Sequence, residues 1–265
     1  MTRTFRAELL KLRRRRILIF AALGALAFSL ITTIAVVLSA EPAATAGPAR
    51  DGRAPTIESL GAAAGIAEPF SIGVSFLGIL VLVLFIANVA GEFSQGTFRT
   101  LLMRQPRRVG LLAGKLAALL VFAAGTLALA ELLSILTALV AAPTQDIATS
   151  SWLTLDGLGE AASTYATALL GVCAWATLGA SLAVLVRSSP IALGIGIAWS
   201  GPFEHITMDV WDAATHWFPG LLLEAWAVGG TADVSASHAA LVLCVYVAAA
   251  ATAAAVVFRR RDLAG

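Results

Sequence analysis

The chain has 265 residues, of which 59% are hydrophobic and only 13% are charged. A soluble domain carries about a quarter charged residues, so this composition argues against an ordinary soluble protein. The apolar residues form blocks of roughly 20 residues, the length of helix that crosses about 30 Å of hydrocarbon. The net charge of +2 says little about partners by itself, and we expect no nucleic acid among them.

The hydropathy pattern predicts six transmembrane helices in an all-α membrane protein, with residues 1–16 as an interface helix and 17–265 as the transmembrane domain. The six spans are Ile17–Ala40, Phe70–Ala90, Leu111–Ala142, Ala161–Val186, Pro190–Met208 and Ser237–Phe258. The third is longer than a straight crossing needs, so we expect it to tilt or to begin in the interface. The fifth is the weakest, because Gly201-Pro202 interrupts it and Glu204 follows.

The distribution of basic residues orients this arrangement. Of the 18 Lys and Arg residues, all but Arg50 and Arg53 fall on one side of the six spans. The positive-inside rule therefore places both termini in the cytoplasm, and an odd number of spans would put the C-terminal arginines outside. Four tryptophans fall on the outer side and predict an aromatic belt there: Trp152, Trp211, Trp217 and Trp226. The abundant Ala and Gly suggest a bacterial protein, and hence a multi-pass protein of the inner (plasma) membrane.

Two segments outside the spans have their own patterns. Near the N-terminus, Phe5, Leu9 and Leu12 recur at helical spacing among basic residues, which predicts an amphipathic helix on the inner leaflet. Residues 202–233 are too apolar for a free outer loop. We expect them to form short helices that re-enter the outer membrane surface, where irregular backbone must be shielded by protein.

A third segment, residues 91–110, joins spans two and three on the cytoplasmic side. Phe98, Leu101 and Leu102 fall at i, i+3 and i+4, which predicts a short amphipathic helix that Pro106 ends. Its apolar face can lie on lipid or fill a groove on a cytoplasmic partner.

This segment resembles the first cytoplasmic loop of ABC-2-type transporter permeases, the membrane-spanning subunits of ABC exporters. The residues that carry the resemblance are Gly91-Glu92-Phe93, Gly96-Thr97-Phe98-Arg99, Leu101-Leu102, Pro106, Arg108 and Gly114-Lys115. The N-terminal string FRAELLKLR, residues 5–13, is similar to the opening segment of that family. The likeness covers the whole length: an interface helix, six spans and a re-entrant region before the last span, as in type V exporter-like permeases.

The resemblance implies a permease subunit of an ATP-driven exporter. Two copies would form the translocation path between them, as a homodimer in the lipid bilayer, and two ABC ATPase subunits would dock beneath. The coupling helix would be Gly96–Arg104, with Glu92 close to the same interface. The residues implied in coupling are Glu92, Gly96, Thr97, Phe98, Arg99, Leu101, Leu102 and Arg104.

The sequence contains no G-x-x-x-x-G-K-[ST] motif. Gly114-Lys115 is followed by Leu116, and Val109 stands where the first glycine should be. We therefore expect the chain not to be an enzyme by itself and to bind no cofactor, with ATP and Mg held by the partner ATPase. No metal site is expected, since Cys173 and Cys244 lie in apolar blocks as small core residues.

Two polar residues inside the predicted spans, Glu131 and Asn88, are candidates for the translocation path or for buried polar contacts. A carboxylate in hydrocarbon costs several kcal/mol unless it is shielded, so Glu131 should face another span, the dimer interface or a wet cavity. It is either a substrate or proton contact on the translocation path, or a residue near enough to the outer surface to reach water. Asn88 is expected to form an interhelical hydrogen bond, or to line the same path.

Three other functions compete with this interpretation. An ion-gradient-driven secondary transporter often has paired interrupted spans, whereas only span five is interrupted here. A rhomboid-like intramembrane serine protease is suggested by Ser200 in Ala198-Trp199-Ser200-Gly201, with His205, His216 or His238 as base. A permease-like subunit could also sense a compound or confer immunity without bulk transport. The apolar interior is compatible with hydrophobic drugs, lipids, peptides or lipid-linked sugars as substrates.

Overall fold

The computed structural model describes residues 2–43, 55–95 and 108–260. Within these ranges the chain forms ten α-helices joined by short 3-10 and π turns. The helices are α1 (Thr2–Leu12), α2 (Arg15–Leu38), α3 (Ile57–Gly61), α4 (Glu68–Ser94), α5 (Arg108–Ala141), α6 (Leu155–Val186), α7 (Ser189–Ala198), α8 (Glu204–Met208), α9 (Pro219–Ala227) and α10 (Ala236–Arg260).

Five of these helices, α2, α4, α5, α6 and α10, are long and apolar enough to cross a membrane. They confirm the helices predicted for spans one, two, three, four and six. Their ends follow local chemistry: Pro69 stands in the first turn of α4, where its missing N–H has no helical partner anyway. At the start of α6, the Thr154 hydroxyl accepts a hydrogen bond from the Gly157 amide at 3.2 Å. Helix α5 has 34 residues and is therefore roughly 51 Å long, which agrees with the excess length expected of span three.

The segment predicted as span five is helical but divided. Helix α7 passes into a π turn at Trp199–Phe203, and α8 follows directly. Pro202 lies inside that turn, where it can donate no backbone hydrogen bond. For this reason the segment is not among the five long helices of the described part of the chain.

The ends of three helices meet at one end of the bundle, here called the basal end. The Ser189 amide, just after α6, donates to Ser94 Oγ in the last turn of α4 at 3.3 Å. In the last turn of α10, the Phe258 ring lies edge-on to Phe93, with 6.2 Å between centroids. Helix α10 has 25 residues and is roughly 37 Å long, so its first turn lies at the opposite, apical end. Residues 189–235 therefore carry the chain from the basal to the apical end.

Close packing joins the helices into two main pairs, α4 with α6 and α2 with α5. At Gly179 of α6, an added Cβ would lie 2.8 Å from the Leu82 carbonyl of α4, so only glycine permits this approach. Polar contacts join α2 and α5: the Ser29 hydroxyl donates to the Ala130 carbonyl at 2.6 Å, and the hydroxyls of Thr33 and Ser134 are 2.8 Å apart. Such hydroxyl contacts are common between helices in lipid.

Helix α1 confirms the amphipathic pattern at the N-terminus. Phe5, Leu9 and Leu12 are its half-buried apolar residues, and the helix packs against α5. It ends four residues before the predicted boundary at residue 16, because Arg14 is extended (φ −61°, ψ 134°) and α2 begins at Arg15. The break directs α1 away from the axis of α2.

The four tryptophans predicted to form an outer aromatic belt differ in their exposure. Trp152 is 1% exposed, and its indole N–H donates to the Leu60 carbonyl at 2.8 Å. Trp226 is half-buried, and its indole donates to a carbonyl of α6 at 3.0 Å. The belt prediction is therefore wrong for Trp152, which is buried within the protein, and it stays a prediction for Trp226. Trp211 and Trp217 are about half exposed.

Residues 202–233 confirm the prediction of short, partly buried helices. They contain α8, a 3-10 turn at Asp212–His216 and α9, and the side chains of Leu221–Leu223 are buried. Fully buried Glu204 joins two of these helices, because its Oε2 accepts the Leu221 amide of α9 at 2.9 Å. The chain therefore folds back onto the bundle here instead of forming a free loop.

Candidate functional site

A cluster of four charged side chains lies at the basal end of the bundle. Lys115 is its centre: the Nζ atom lies 2.6 Å from Glu92 Oε1 and 3.4 Å from Glu8 Oε2. Glu8 also pairs with Lys11 at 2.5 Å. Hereafter these four residues are called the basal charge cluster.

Burial distinguishes this cluster from an ordinary surface ion pair. The side chain of Lys115 is 5% exposed, those of Glu8 and Glu92 are 13% and 16% exposed, and that of Lys11 is 54% exposed. A buried ammonium group is costly unless carboxylates and good geometry compensate its lost hydration. The two carboxylates supply that compensation for Lys115, whereas the Lys11 pair lies in solvent and contributes little.

Three helices position the three buried groups. Glu92 lies in the last turn of α4, and Lys115 lies near the start of α5. Glu8 lies on the half-buried face of α1, between the apolar residues Phe5 and Leu9. Because α1 packs on α5, its face brings Glu8 to the same lysine that binds Glu92. The cluster therefore joins the N-terminal helix to the two helices on either side of residues 96–107.

An aromatic and arginine contact extends the same region to two more helices. The Arg187 guanidinium, just after α6, lies 5.6 Å from the centroid of the Phe93 ring, and the same ring contacts Phe258 of α10 edge-on. Arg187 has a left-handed backbone (φ 59°) that ends α6. The end of α4 is thus in contact, through Glu92 and Phe93, with groups that contact or belong to α1, α5, α6 and α10.

The structure describes one of the eight predicted coupling residues. Glu92 lies within the basal charge cluster, next to the segment it was expected to support. The other seven lie outside the described residues: Gly96, Thr97, Phe98, Arg99, Leu101, Leu102 and Arg104. The role of all eight residues in coupling stays a prediction.

Sequence reasoning missed Glu8 and Lys115 as site residues, although both belong to the strings that resemble the permease family. One signal could have found them. Lys115 stands among apolar residues such as Leu111 and Leu116 at the start of a span, where a lone lysine needs a carboxylate partner. The candidate partners Glu8 and Glu92 both lie on the same predicted side of the membrane.

The predicted polar residues inside the spans have different surroundings. The Asn88 side-chain amide donates to the Leu84 carbonyl of its own helix at 3.0 Å, and this is its one described hydrogen bond. The expected interhelical bond is therefore not found among the described contacts. Glu131 is 7% exposed, and it borders a groove between α5 and α6.

The residues suggested for a serine protease do not form a dyad. Ser200 Oγ donates to a carbonyl of its own helix at 2.7 Å. The His205 ring contacts the Gly201 carbonyl at 2.8 Å, and the His238 ring contacts the His216 carbonyl at 3.0 Å. Among the hydrogen bonds of the described residues, none joins a histidine to Ser200, as nucleophile activation would require.

The surface of the long helices agrees with a lipid environment. Helices α2 and α10 expose large apolar side chains, including Phe20 (74%), Ile31 (69%) and Leu241 (66%). Together with the five long apolar helices, this surface defines a multi-pass α-helical membrane protein.

The chain belongs to the family described as "Protein of unknown function (DUF2705)", whose model matches residues 51–264. No curated protein matches the chain. The matched range includes Glu92 and Lys115, but it begins after α1 and Glu8. Both residues of the ion pair at the ends of α4 and α5 therefore lie within the matched range, whereas α1 lies outside it.

Proposed function

We propose that this protein is the transmembrane permease subunit of an ATP-driven ABC-2-type exporter, coupled to a separate cytoplasmic ATPase. One observation carries the proposal: the Lys115 ion pairs join α1, α4 and α5, and α4 and α5 are the two helices that residues 96–107 connect in the chain. These residues contain the predicted coupling helix, Gly96–Arg104. A partner that moved this segment would act on three linked helices at once.

Six membrane crossings are part of this proposal. Residues 189–235 run from the basal to the apical end, and α7, the π turn and α8 contribute 20 residues, roughly 30 Å of helical path. That length matches the hydrocarbon thickness of about 30 Å. With this crossing included, the basal end holds the Arg-rich termini and is the cytoplasmic side, in agreement with the positive-inside rule.

The basal charge cluster would transmit the motion as follows. Nucleotide binding in the ATPase would displace the coupling helix, and the Glu92–Lys115 pair would keep the ends of α4 and α5 moving together. Helix α1 follows α5 through Glu8 and its apolar face, and α2 follows α5 through the Ser29 and Thr33 hydrogen bonds. Helix α6 would move with α4, its closely packed neighbour, and alternate access could arise at the interface between two such permease copies.

ATP and Mg would be bound by the partner ATPase, and this chain would supply the apolar face of the coupling helix. Phe98, Leu101 and Leu102 would fill a groove on the ATPase as an amphipathic helix does. Two permease copies and two ATPase copies would complete the exporter.

The proposal is tested by purifying the tagged full-length protein from the membranes of its own host in mild detergent. We expect a P-loop ATPase to copurify in equal amount and to hydrolyse ATP. Leu101→Asp should remove the ATPase while the amount of permease in the membrane stays the same. The matched control is Leu153→Asp, because Leu153 is 67% exposed at the apical end. Wild-type protein without ATPase activity, or equal loss in both variants, would overturn the proposal.

Orientation is tested separately with single cysteines in a chain whose Cys173 and Cys244 are replaced by serine. Thr97→Cys should react with a membrane-impermeant maleimide only after the membrane is opened. Asp233→Cys, in an apical loop, should react in intact cells. Labelling of residue 97 in intact cells would exclude a cytoplasmic coupling helix.

A further inference from the structure

Glu131 is a buried acidic residue with no cationic partner in the described structure. It lies on α5 and is 7% exposed, and its Oε1 atom is buried without a hydrogen-bond donor among the described residues. No salt bridge among the described residues includes it. The hydroxyls of Ser29 and Ser134, which act at neighbouring positions of α5, form hydrogen bonds between α2 and α5 instead.

The Glu131 side chain borders a groove of about 280 Å³ between α5 and α6. The other lining residues are Ala128, Leu132, Ile135, Ala161, Ala162 and Tyr165. Tyr165 donates its hydroxyl to the Ala124 carbonyl at 3.1 Å, so its polar end is engaged within the protein. Glu131 is therefore the one charged group among the described residues that line an otherwise apolar groove.

The position of the groove defines how a ligand could reach it. Glu131 is about ten residues, or roughly 15 Å, from the apical end of α5. That distance places the carboxyl within the apical half of a hydrocarbon layer about 30 Å thick. Ala162 lies at the exposed margin of the groove, so a molecule dissolved in the bilayer can approach it from the side.

We propose that this groove binds amphipathic organic cations, in which a quaternary or protonated amine is attached to an apolar body. The amine would lie against the Glu131 carboxylate, and the apolar body against Leu132 and Ile135. The inference rests on the proposed function only in that it names such cations as the exported substrates. The inference narrows the substrates compatible with the sequence, which were hydrophobic drugs, lipids, peptides and lipid-linked sugars, to one chemical class.

The chemistry of the groove favours this class over other ligands. In a medium of low dielectric constant a carboxylate attracts a monovalent cation much more strongly than in water. A divalent metal ion would need about six oxygen ligands, and this groove offers one carboxylate. An anionic lipid or sugar phosphate would be repelled by the same carboxylate. The apolar walls add the free energy of burying the hydrocarbon part of the ligand.

The test uses the purified full-length protein in lipid nanodiscs and radiolabelled dodecyltrimethylammonium. Its neutral control is the same molecule with carbon in place of the quaternary nitrogen. We expect Glu131→Gln to weaken displaceable binding of the cation at least about tenfold, and to change binding of the neutral analogue by less than about twofold. Unchanged cation binding, or equal loss of both molecules, would overturn the inference.

Two further variants decide the outcome even if Glu131→Gln lowers stability. Glu131→Asp keeps the charge and should retain cation binding. Ala162→Trp should fill the groove and abolish cation binding with Glu131 intact. Its matched control is Ala21→Trp, which fills a second groove of about 250 Å³ that has no charged lining residue. The Ala21→Trp protein should bind the cation as the wild-type protein does. Wild-type cation binding by Ala162→Trp would show that the ligand lies elsewhere.

The assay contains neither ATP nor an ATPase, so it can fail or succeed independently of the proposed function. Glu131-dependent binding in a protein without an ATPase partner would support the cation site and contradict the proposed exporter function. A confirmed ATPase partner together with Glu131-independent binding would do the reverse.

Discussion

Lys115 and Glu131 lie on the same helix, about 24 Å apart along its axis, and are almost equally buried. Lys115 is 4% exposed and Glu131 is 7% exposed. They differ in what surrounds them. Lys115 meets carboxylates from two other helices, whereas Glu131 Oε1 meets no donor among the described residues.

The difference shows that burial of a charge does not by itself indicate its role. A buried charge whose partners come from other helices fixes the positions of those helices, because separating any of them leaves an uncompensated charge. A buried charge without such a partner contributes nothing to helix association. Its electrostatic attraction is therefore available to a bound ligand. The first kind suits transmission of movement, and the second suits binding.

Lys115→Met should give the largest loss of stability. It leaves the Glu8 and Glu92 carboxylates close together without their shared cation, so we expect the free energy of unfolding to fall by about 3 kcal/mol. The measurement is SDS-induced unfolding of the purified protein in mixed micelles. Lys115→Met combined with Glu92→Gln should recover part of the loss, because one of the two unpaired carboxylates is then neutral.

The control for this variant is Lys11→Met in the same cluster. The Lys11 side chain is 54% exposed, so its pair with Glu8 should be worth about 0.5 kcal/mol or less. Equal losses in Lys11→Met and Lys115→Met would show that burial of Lys115 has no energetic consequence, and the contrast with Glu131 would lose its basis.

Gly220→Ala extends the comparison to a third buried ionisable residue, Glu204. An added Cβ at Gly220 would overlap the Glu204 carboxyl, which is held by the Leu221 amide. We expect a loss of about 2 kcal/mol in the free energy of unfolding, the usual range for overpacking. Gly194→Ala is the control, since no heavy atom lies within 4 Å of its added Cβ, and it should stabilise α7 by about 0.5 to 1 kcal/mol. Equal stability of Gly220→Ala and wild type would mean that α8 and α9 can move apart enough to accommodate the added methyl group without a cost in free energy.

The helices were predictable from the sequence because hydropathy and periodicity are local properties. The predicted spans Ile17–Ala40 and Ala161–Val186 correspond to α2 and α6 within a few residues at most ends. The half-buried face of α1 followed from the spacing of Phe5, Leu9 and Leu12. Gly201-Pro202 indicated that span five is divided. The sequence did not predict the π turn that contains Pro202.

The partners of side chains were less predictable, because they depend on which helices become neighbours. Lys115 and Glu8 are separated by 107 residues, and no local pattern pairs them. Trp152 was expected in an interfacial belt, but the Leu60 carbonyl lies within reach of its indole only after the apical segments fold together. Glu131 was identified as a buried acid from sequence, whereas its groove depends on how α5 packs beside α6.

Glu131→Leu should have a smaller effect than Lys115→Met and Gly220→Ala, and the effect should have the opposite sign. Because this carboxyl has no cationic partner in the described structure, replacing it with an apolar side chain should raise the free energy of unfolding by about 1 kcal/mol, at the expense of cation binding. SDS-induced unfolding measures this change, and Glu160→Leu, at an exposed position on α6, should lie within about 0.5 kcal/mol of wild type. A loss as large as that of Lys115→Met would mean that Glu131 has a partner within the protein. Both buried charges would then hold helices together, and the groove would no longer need a ligand to satisfy its carboxylate.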